Sequence, residues 1–213
     1  MSEPGSHEFT VASTKDVYIG RVIGLRIDEV VMPGGTTARR EVIEHLGAVA
    51  VVALDVAGSV TLIHQYRHPL GHRLWELPAG LIDKAGEDPV EAARRELVEE
   101  VGLRAERWET LVDVAVSPGF TDEVVRVFLA RELSDVDREV LGEEEADLVV
   151  RKVPLAEAVR MALAGELVNG ATVAGVLAAH LVVVDGAAPR PADAPWPDRP
   201  TRFAARLAGT SRH

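Results

Sequence analysis

The sequence contains no cysteine. This absence excludes disulfide bonds, thiolate zinc sites and cysteine nucleophiles, and it is consistent with a reducing compartment. The sequence also lacks any apolar run near the roughly 20 residues that a membrane-spanning helix needs. Its first ten residues, MSEPGSHEFT, include neither a basic nor an apolar stretch, so we expect no secretory signal. We therefore predict a cytoplasmic protein that does not associate with membranes.

Positive charge is also scarce. The chain has 23 lysines and arginines against 34 aspartates and glutamates, which gives a formal net charge of -11. Such a surface repels nucleic acid and anionic membranes at long range. It also repels a small phosphorylated molecule. The charge therefore argues against a nucleic-acid partner, and any phosphate substrate would need local arginines or bound cations at its site.

The apolar pattern predicts an α+β protein in which strands outnumber helices. Residues 9–31 alternate as two strands, and a turn at residues 33–35 leads into another. Two apolar runs, GAVAVVALD and SVTLIHQYR, look like a buried hairpin. Further strands are predicted at 108–115, 124–131 and 148–155, and helices at 88–101, 156–167 and 172–184.

The length suits one well-packed core with small additions. We divide the chain into an N-terminal antiparallel strand region (1–44), a main domain (45–185) and a tail (186–213). The tail is rich in proline and alanine, so we expect it to be disordered or laid across another surface.

The predicted helix at 88–101 places two carboxylates beside its core face. Its apolar residues fall within an arc of about 80°: Val90, Ala93, Leu97 and Val101. Glu96 and Glu100 flank that arc about 40° apart, whereas Glu99 points further toward water. Oxygen ligands one turn apart suit Mg²⁺ or Mn²⁺. The alternative is a solvated acidic face on which Arg95 pairs with a neighbouring glutamate.

The segment from Gly80 to Leu103 resembles the signature of the Nudix hydrolases, G-x5-E-x7-R-E-U-x-E-E-x-G-U, where U is a bulky apolar residue. One departure is present, because six residues instead of five separate Gly80 from Glu87. The matched positions are Gly80, Glu87, Arg95, Glu96, Leu97, Glu99, Glu100, Gly102 and Leu103. The intact half is the helical one, which holds the ligands.

The resemblance implies a fold, a reaction and a metal. The fold would be a Nudix-type α/β/α sandwich of mixed sheet with flanking helices, preceded by the N-terminal antiparallel strands. The reaction would be Mg²⁺- or Mn²⁺-dependent hydrolysis of a nucleoside diphosphate linked to another group. Carried over by position, the metal ligands would be Glu96, Glu100 and the backbone carbonyl of Ala79. Glu99 would be a further ligand or a catalytic support, and Arg95 would orient the glutamates.

Stretches outside the signature look like the ADP-ribose pyrophosphatase branch of that family. They are HQYRHPLGHRLWELPAG before the signature, SPGFTDE after it, and the acidic run GEEEADLVV. This branch implies hydrolysis of ADP-ribose to AMP and ribose 5-phosphate. Another nucleotide sugar such as GDP-mannose, or a dinucleotide, stays open. A third reading is a non-catalytic protein that binds ADP-ribose and regulates transcription. Such a sensor should carry a basic DNA-binding module, and this acidic sequence shows none.

The same branch implies substrate-binding residues and a homodimer whose N-terminal strands cross to the partner. Arg67 would hold a phosphate oxygen or the terminal ribose phosphate, and Glu76 would contact substrate or support the metal. Arg40 is a second candidate for binding an anion, and Tyr18 could stack on adenine from the partner subunit. Each has a plainer alternative: an exposed charge for the two arginines and ordinary packing for the tyrosine.

The acidic run also supplies candidates for the general base. A mobile carboxylate that closes over the metals can take a proton from the attacking water. In this branch a glutamate of the loop after the signature does so. We favour Glu145, which lies nearest the following strand, over Glu144. The alternative is a loop that only aids solubility.

Overall fold

The computed structural model describes residues 6–84, 86–138 and 147–210. The chain divides into two compact units. One comprises Met1–Gly47, Ala115–Glu123 and Arg199–His213, and the other comprises Ala48–Val114 and Val124–Asp198. The three segments drawn from the sequence stay a prediction about domains.

The helices of the described residues are α1 (Pro89–Val101), α2 (Leu155–Leu163), α3 (Gly170–Val184) and α4 (Arg202–Thr210). The first three confirm the helices predicted from periodicity. Among the described residues, no helix is both long and apolar enough to cross a membrane.

The first unit is built on an antiparallel sheet with the order β1 (Val11–Ile19), β2 (Ile23–Val31) and β3 (Thr37–His45). These strands and the turn before β3 confirm the antiparallel strands predicted at the N-terminus. The turn needs glycine because Gly35 has φ 84°. All nine residues of β1 are exposed, so this edge strand has no cover within its own unit.

Helix α4 packs on this sheet through Phe203, which is fully buried. A Cβ at Gly24 of β2 would lie 2.8 Å from the Phe203 ring, so glycine permits the close approach. Beside this contact, the buried carboxylate of Glu44 accepts from Arg206 and from Arg26, the latter at 2.5 Å. The buried charge is therefore paired on two sides, which a buried carboxylate requires.

The second unit contains two sheets. The larger has the order β11 (Arg190–Pro191), β8 (Leu103–Ala115), β9 (Val124–Asp135), β4 (Ala48–Ala53) and β7 (Ala79–Leu81). Strand β4 runs parallel to β9 and antiparallel to β7, so the sheet is mixed. The smaller is antiparallel, with the order β10 (Val149–Pro154), β5 (Ser59–Arg67) and β6 (His72–Glu76).

Strand β4 is apolar throughout, as is typical of a strand that is buried on both faces. Val49 and Val51 pack in a cluster that includes Leu97 of α1. Ala50 and Val52 pack in a second cluster that includes residues of α2 and α3. Helices on both faces of a mixed sheet confirm the predicted α/β/α sandwich and the α+β class.

The predicted hairpin is only partly right. Its turn forms, because Gly58 N donates to Asp55 O at 3.0 Å and Asp55 N donates to Ser59 O at 3.0 Å. Beyond the turn, however, β4 and β5 belong to different sheets, joined by a single bridge between Leu54 and Val60. Periodicity showed that both runs are buried, but it carries no information about which strand each one pairs with.

The described part of the tail is laid across the second unit and then the first. Strand β11 pairs with β8, and the buried Arg126 donates to the carbonyls of Ala194 and Pro195 at 2.7 and 3.0 Å. The same guanidinium lies over the Trp196 ring, 4.6 Å from its centroid. Of the two alternatives for the tail, the structure selects the packed one for residues 190–196 and for α4, whose Phe203 is buried.

Candidate active site

Helix α1 is fixed at both ends. The Asp88 carboxylate accepts from Val90 N at 2.9 Å, and Pro89 occupies the first turn. Gly102 ends the helix with φ 65°, a conformation that favours glycine. These caps set where the glutamates of α1 lie relative to the strand before the helix.

Arg95 is the centre of an acidic cluster on α1. Its guanidinium binds Glu87 through two hydrogen bonds of 3.1 Å. It also donates to Glu96 at 2.5 Å and to Glu99 at 3.2 Å. One guanidinium therefore binds three carboxylates. Its hydrogen bonds to Glu87 are the largest cause of the raised pKa of Arg95, and the charges of Glu96 and Glu87 raise this pKa as well.

Gly80 makes room for the Glu96 carboxyl group. A Cβ on Gly80 would lie 2.0 Å from Glu96 Cδ, closer than any real contact allows. Burial raises the pKa of Glu96 to about 7, and the Glu99 and Asp83 charges add to this effect. Contacts with Arg95 offset only part of it. The carboxyl group is thus held against the backbone of β7 in a place where its charge is poorly compensated.

Glu100 is still more buried. Only 6% of its surface is exposed, and its Oε2 accepts from Ala79 N at 2.8 Å. The pKa of Glu100 is raised to about 8, mainly by burial and in addition by the charges of Glu96 and Glu76. The Ala79 N–H and the charge of Arg67 act in the opposite direction. A bound cation would remove the cost of these neighbouring negative charges.

A second polar group lies at the end of β6. Glu76 is 2% exposed, and its Oε2 accepts from Arg67 Nε at 2.9 Å and from Arg67 Nη2 at 2.6 Å. Its Oε1 accepts from Asn169 Nδ2 at 3.0 Å. The Arg67 side chain is 40% exposed, so its guanidinium is fixed by a buried carboxylate and still open to solvent. Such a group can bind an anion with little loss of side-chain entropy.

The sequence that carries this geometry matches a known family. The NUDIX domain profile matches residues 44–171, more than half of the chain. The chain belongs to the NUDIX domain family.

Relatives of this NUDIX protein are known by name. The ADP-ribose pyrophosphatase of Mycobacterium tuberculosis is 53% identical over 202 residues, which cover 95% of this chain and 98% of the relative. The methanol dehydrogenase activator of Bacillus methanolicus is 37% identical over 163 residues, covering 76% of this chain and 88% of that one. A crystal structure of an ADP compounds hydrolase superposes with a TM-score of 0.72 at 22% identity, covering 84% of this chain and 97% of that chain. This last likeness concerns the fold.

Several of the residues predicted from the sequence are brought together in the NUDIX domain. Glu96 and Glu99 share Arg95, and Ala79 is bonded to Glu100 through its amide. The Arg67 and Glu76 pair is close enough for both charges to act on Glu100. The structure therefore groups these side chains, and their chemical roles stay predictions.

Of the other four predicted residues, two belong to the first unit and two lie outside the described residues. Tyr18 and Arg40 belong to the first unit, on β1 and β3, and both are exposed. Arg40 donates to the carbonyl of Arg39 at 2.9 Å. Glu144 and Glu145 lie outside the described residues. Roles for all four stay predictions.

Sequence reasoning missed two residues of the site. Glu87 takes both hydrogen bonds from one side of Arg95, and its place in the signature could have indicated this. Asn169 binds Glu76 from a position 93 residues later in the chain. Its only sequence signal is that of a helix cap, which gives no reason to connect it with β6.

A divalent cation is the general cofactor of NUDIX hydrolases, and the donor chemistry here suits one. Across the described residues, no three side chains of His, Cys, Asp or Glu are grouped to hold a metal ion by themselves. The predicted ligand set needs only two carboxylates, Glu96 and Glu100, because its third member is the carbonyl of Ala79. Both carboxylates are largely buried, and the neighbouring arginines only partly offset the rise of their pKa values. Oxygen ligands in such a place suit a hard cation, which would compensate their negative charge.

Proposed function

We propose that this NUDIX protein hydrolyses the pyrophosphate bond of ADP-ribose and releases AMP and ribose 5-phosphate. The observation that carries the proposal is the similarity to the Mycobacterium tuberculosis ADP-ribose pyrophosphatase, which extends over nearly the full length of both chains. Arg67 gives physical support, because its partly exposed guanidinium lies near enough to act on Glu100 and a pyrophosphate needs positive charge in an acidic protein.

In this proposal Mg²⁺ or Mn²⁺ is held by Glu96, Glu100 and the carbonyl of Ala79. When bound, the cation supplies charge neutralisation for the diphosphate and lowers the pKa of a water nucleophile. Arg67 binds a phosphate oxygen, and Glu76 fixes the guanidinium of Arg67. Arg95 keeps Glu96 and Glu99 in place through the hydrogen bonds described above.

The proton of the attacking water needs an acceptor. We assign this role to Glu145, with Glu144 as the alternative, and give Glu99 a supporting role. A carboxylate that closes over bound metals can take the proton from the attacking water.

The remaining substrate contacts and the assembly belong to the same proposal. Arg40 binds a second anionic group and Tyr18 stacks on the adenine, both within a cytoplasmic homodimer. The exposed edge strand β1 supports dimerisation, because Val17, Tyr18 and Ile19 are each at least 44% exposed on it.

The test is a substrate panel of ADP-ribose, ADP-glucose, GDP-mannose, NADH and diadenosine polyphosphates, each with and without Mg²⁺. Release of AMP that needs the cation and is fastest from ADP-ribose is the expected result. Faster hydrolysis of GDP-mannose or of another compound in the panel would contradict ADP-ribose as the preferred substrate. It would leave the proposed metal-dependent pyrophosphate hydrolysis unchanged. Binding of ADP-ribose without turnover of any compound would favour a sensor.

Glu145→Gln and Glu144→Gln then separate the two candidate bases. The variant that lacks the general base should have a kcat lower by roughly 10²-fold or more, with little change in KM. Equal and small losses in both would remove the assignment.

A further inference from the structure

We propose that Asn169 is a positioning residue for the substrate phosphate, acting through Glu76 and Arg67. The proposal rests on the proposed function, because it assumes that Arg67 binds a phosphate of the substrate. It adds a residue that lies outside the NUDIX signature, at the start of α3.

The contacts form a chain of three side chains. Asn169 Nδ2 donates to Glu76 Oε1 at 3.0 Å, and Glu76 Oε2 accepts two hydrogen bonds from Arg67. The two oxygens of one buried carboxylate are therefore bound from opposite sides. Without the amide, Oε1 would lack its donor and the carboxylate could rotate, so the Arg67 guanidinium would lose its fixed orientation.

Helix α3 is itself held firmly against the strand end. Leu77 N donates to the buried Thr172 Oγ1 at 3.0 Å, one residue after Glu76. Gly175 permits close packing, because a Cβ there would lie 2.9 Å from Leu77 Cδ1 and 2.8 Å from Val127 Cγ1. Asn169 thus projects from a frame whose distance to β6 is set by packing.

Both ends of the Asn169 side chain are in use. Its Oδ1 accepts from Thr172 N at 2.9 Å and caps α3, while Nδ2 serves Glu76. Serine and aspartate cap helices about as well as asparagine, but an ionised aspartate has no donor, and the serine hydroxyl is one bond shorter than the amide that reaches Glu76. The cap alone would accept any of the three, whereas the contact with Glu76 requires the amide.

This difference separates the two roles by experiment. Asn169→Ser keeps the cap and replaces the amide donor with a shorter hydroxyl, and Asn169→Asp keeps the cap and places a carboxylate against Glu76. Val184→Ser is the control, because it changes an exposed side chain at the last residue of the same helix. We expect kcat/KM for ADP-ribose to fall roughly tenfold or more in both Asn169 variants and to change little in the control.

A double-mutant cycle with Arg67→Ala gives the decisive readout. If Asn169 acts through Arg67, Asn169→Ser should lower kcat/KM by less than about twofold once Arg67 is absent. The same fold loss in both backgrounds would overturn the proposal and leave Asn169 a structural residue. Thermal melting of each variant shows whether any loss follows from unfolding.

Binding of AMP by the metal-free protein keeps this test separate from the substrate assignment. Weaker AMP binding in Asn169→Ser than in the wild type, with no difference in the Arg67→Ala background, supports the positioning role even if ADP-ribose is not hydrolysed. Equal binding by wild type and Asn169→Ser contradicts it. If the panel identifies another substrate, the kinetic cycle is run with that compound.

Discussion

At the scale of single residues, Gly80 and Glu96 show how an absent side chain shapes the site. The Glu96 carboxyl group occupies the space that a Cβ on Gly80 would fill. Because Glu96 is long and flexible, a methyl group there would move its carboxyl group instead of breaking the fold. Glycine at this position therefore serves the placement of a functional group more than the stability of the backbone.

If Glu96 is a metal ligand as proposed, Gly80→Ala should lower kcat for the diphosphate substrate roughly tenfold or more, because the displaced carboxylate would no longer reach the cation. The melting temperature should change by only a few degrees. Steady-state kinetics and thermal melting measure the two effects. Gly209→Ala on α4 is the control, because a Cβ there meets nothing within 4 Å. Full activity in Gly80→Ala would show that the position of Glu96 is unimportant.

The raised pKa of Glu100 predicts a dependence of stability on pH in the metal-free protein. Its pKa is about 8 in the folded state against 4.5 ordinarily, so between these pH values the folded state holds more protons than the unfolded state. The stabilisation that this group supplies is present in full below pH 4.5 and is lost as pH rises through about 8. Glu96, with a pKa of about 7, acts in the same direction.

Glu100→Gln should remove most of this dependence, because glutamine can still accept from Ala79 N and does not ionise. The difference in the free energy of unfolding between variant and wild type should grow toward high pH and reach a few kcal/mol by order of magnitude. Denaturant melts from pH 5 to 8.5, with a chelator present, measure it. A difference that is constant with pH would contradict the raised pKa. Added Mg²⁺ should restore stability most strongly at high pH, since cation and proton compete.

At the scale of elements, α4 and the N-terminal sheet depend on each other. One aromatic side chain, Phe203, fills the space over Gly24, and the ion pairs of Arg206 and Arg26 with Glu44 surround it. The helix is short and its outer face is exposed, so packing and not helix propensity must hold it in place.

Phe203→Ala should therefore release α4 from the sheet. Removing a fully buried phenylalanine typically costs about 3–5 kcal/mol. Amide hydrogen exchange of residues 202–209 should become much faster, while α1 keeps its protection. Ala204→Ser, at an exposed position on the same helix, is the control. Unchanged exchange in α4 would mean that the ion pairs alone hold the helix.

At the scale of the whole molecule, two features bear on whether the chain forms a dimer. They are the net charge of -11 and the exposed strand β1. An uncovered edge strand with large apolar side chains is unfavourable for a chain that stays monomeric. The wild-type protein should therefore sediment as a dimer of twice 22.9 kDa. Val17→Lys on β1 should shift the protein toward the monomer, because a lysine on an edge strand disfavours association with another chain. Val56→Lys, at a fully exposed valine of the second unit, should leave the dimer intact. A monomeric wild type would overturn the proposed assembly.

The sequence by itself determined the acidic helix and the pair Glu96 and Glu100. These features are local, because helical periodicity and fixed spacing place such side chains without knowledge of the rest of the chain. Sequence also predicted the order of most strands and helices, and the signature identified the family.

Only the tertiary structure decided which distant segments meet. It separated the two apolar strands of the expected hairpin into different sheets, packed the tail, and brought Asn169 to Glu76 across 93 residues. It also decided the burial of Glu100, which sets the pKa of that group. Burial and long-range pairing depend on how whole elements pack, and a one-dimensional pattern contains the tendency to be buried but not the identity of the neighbour.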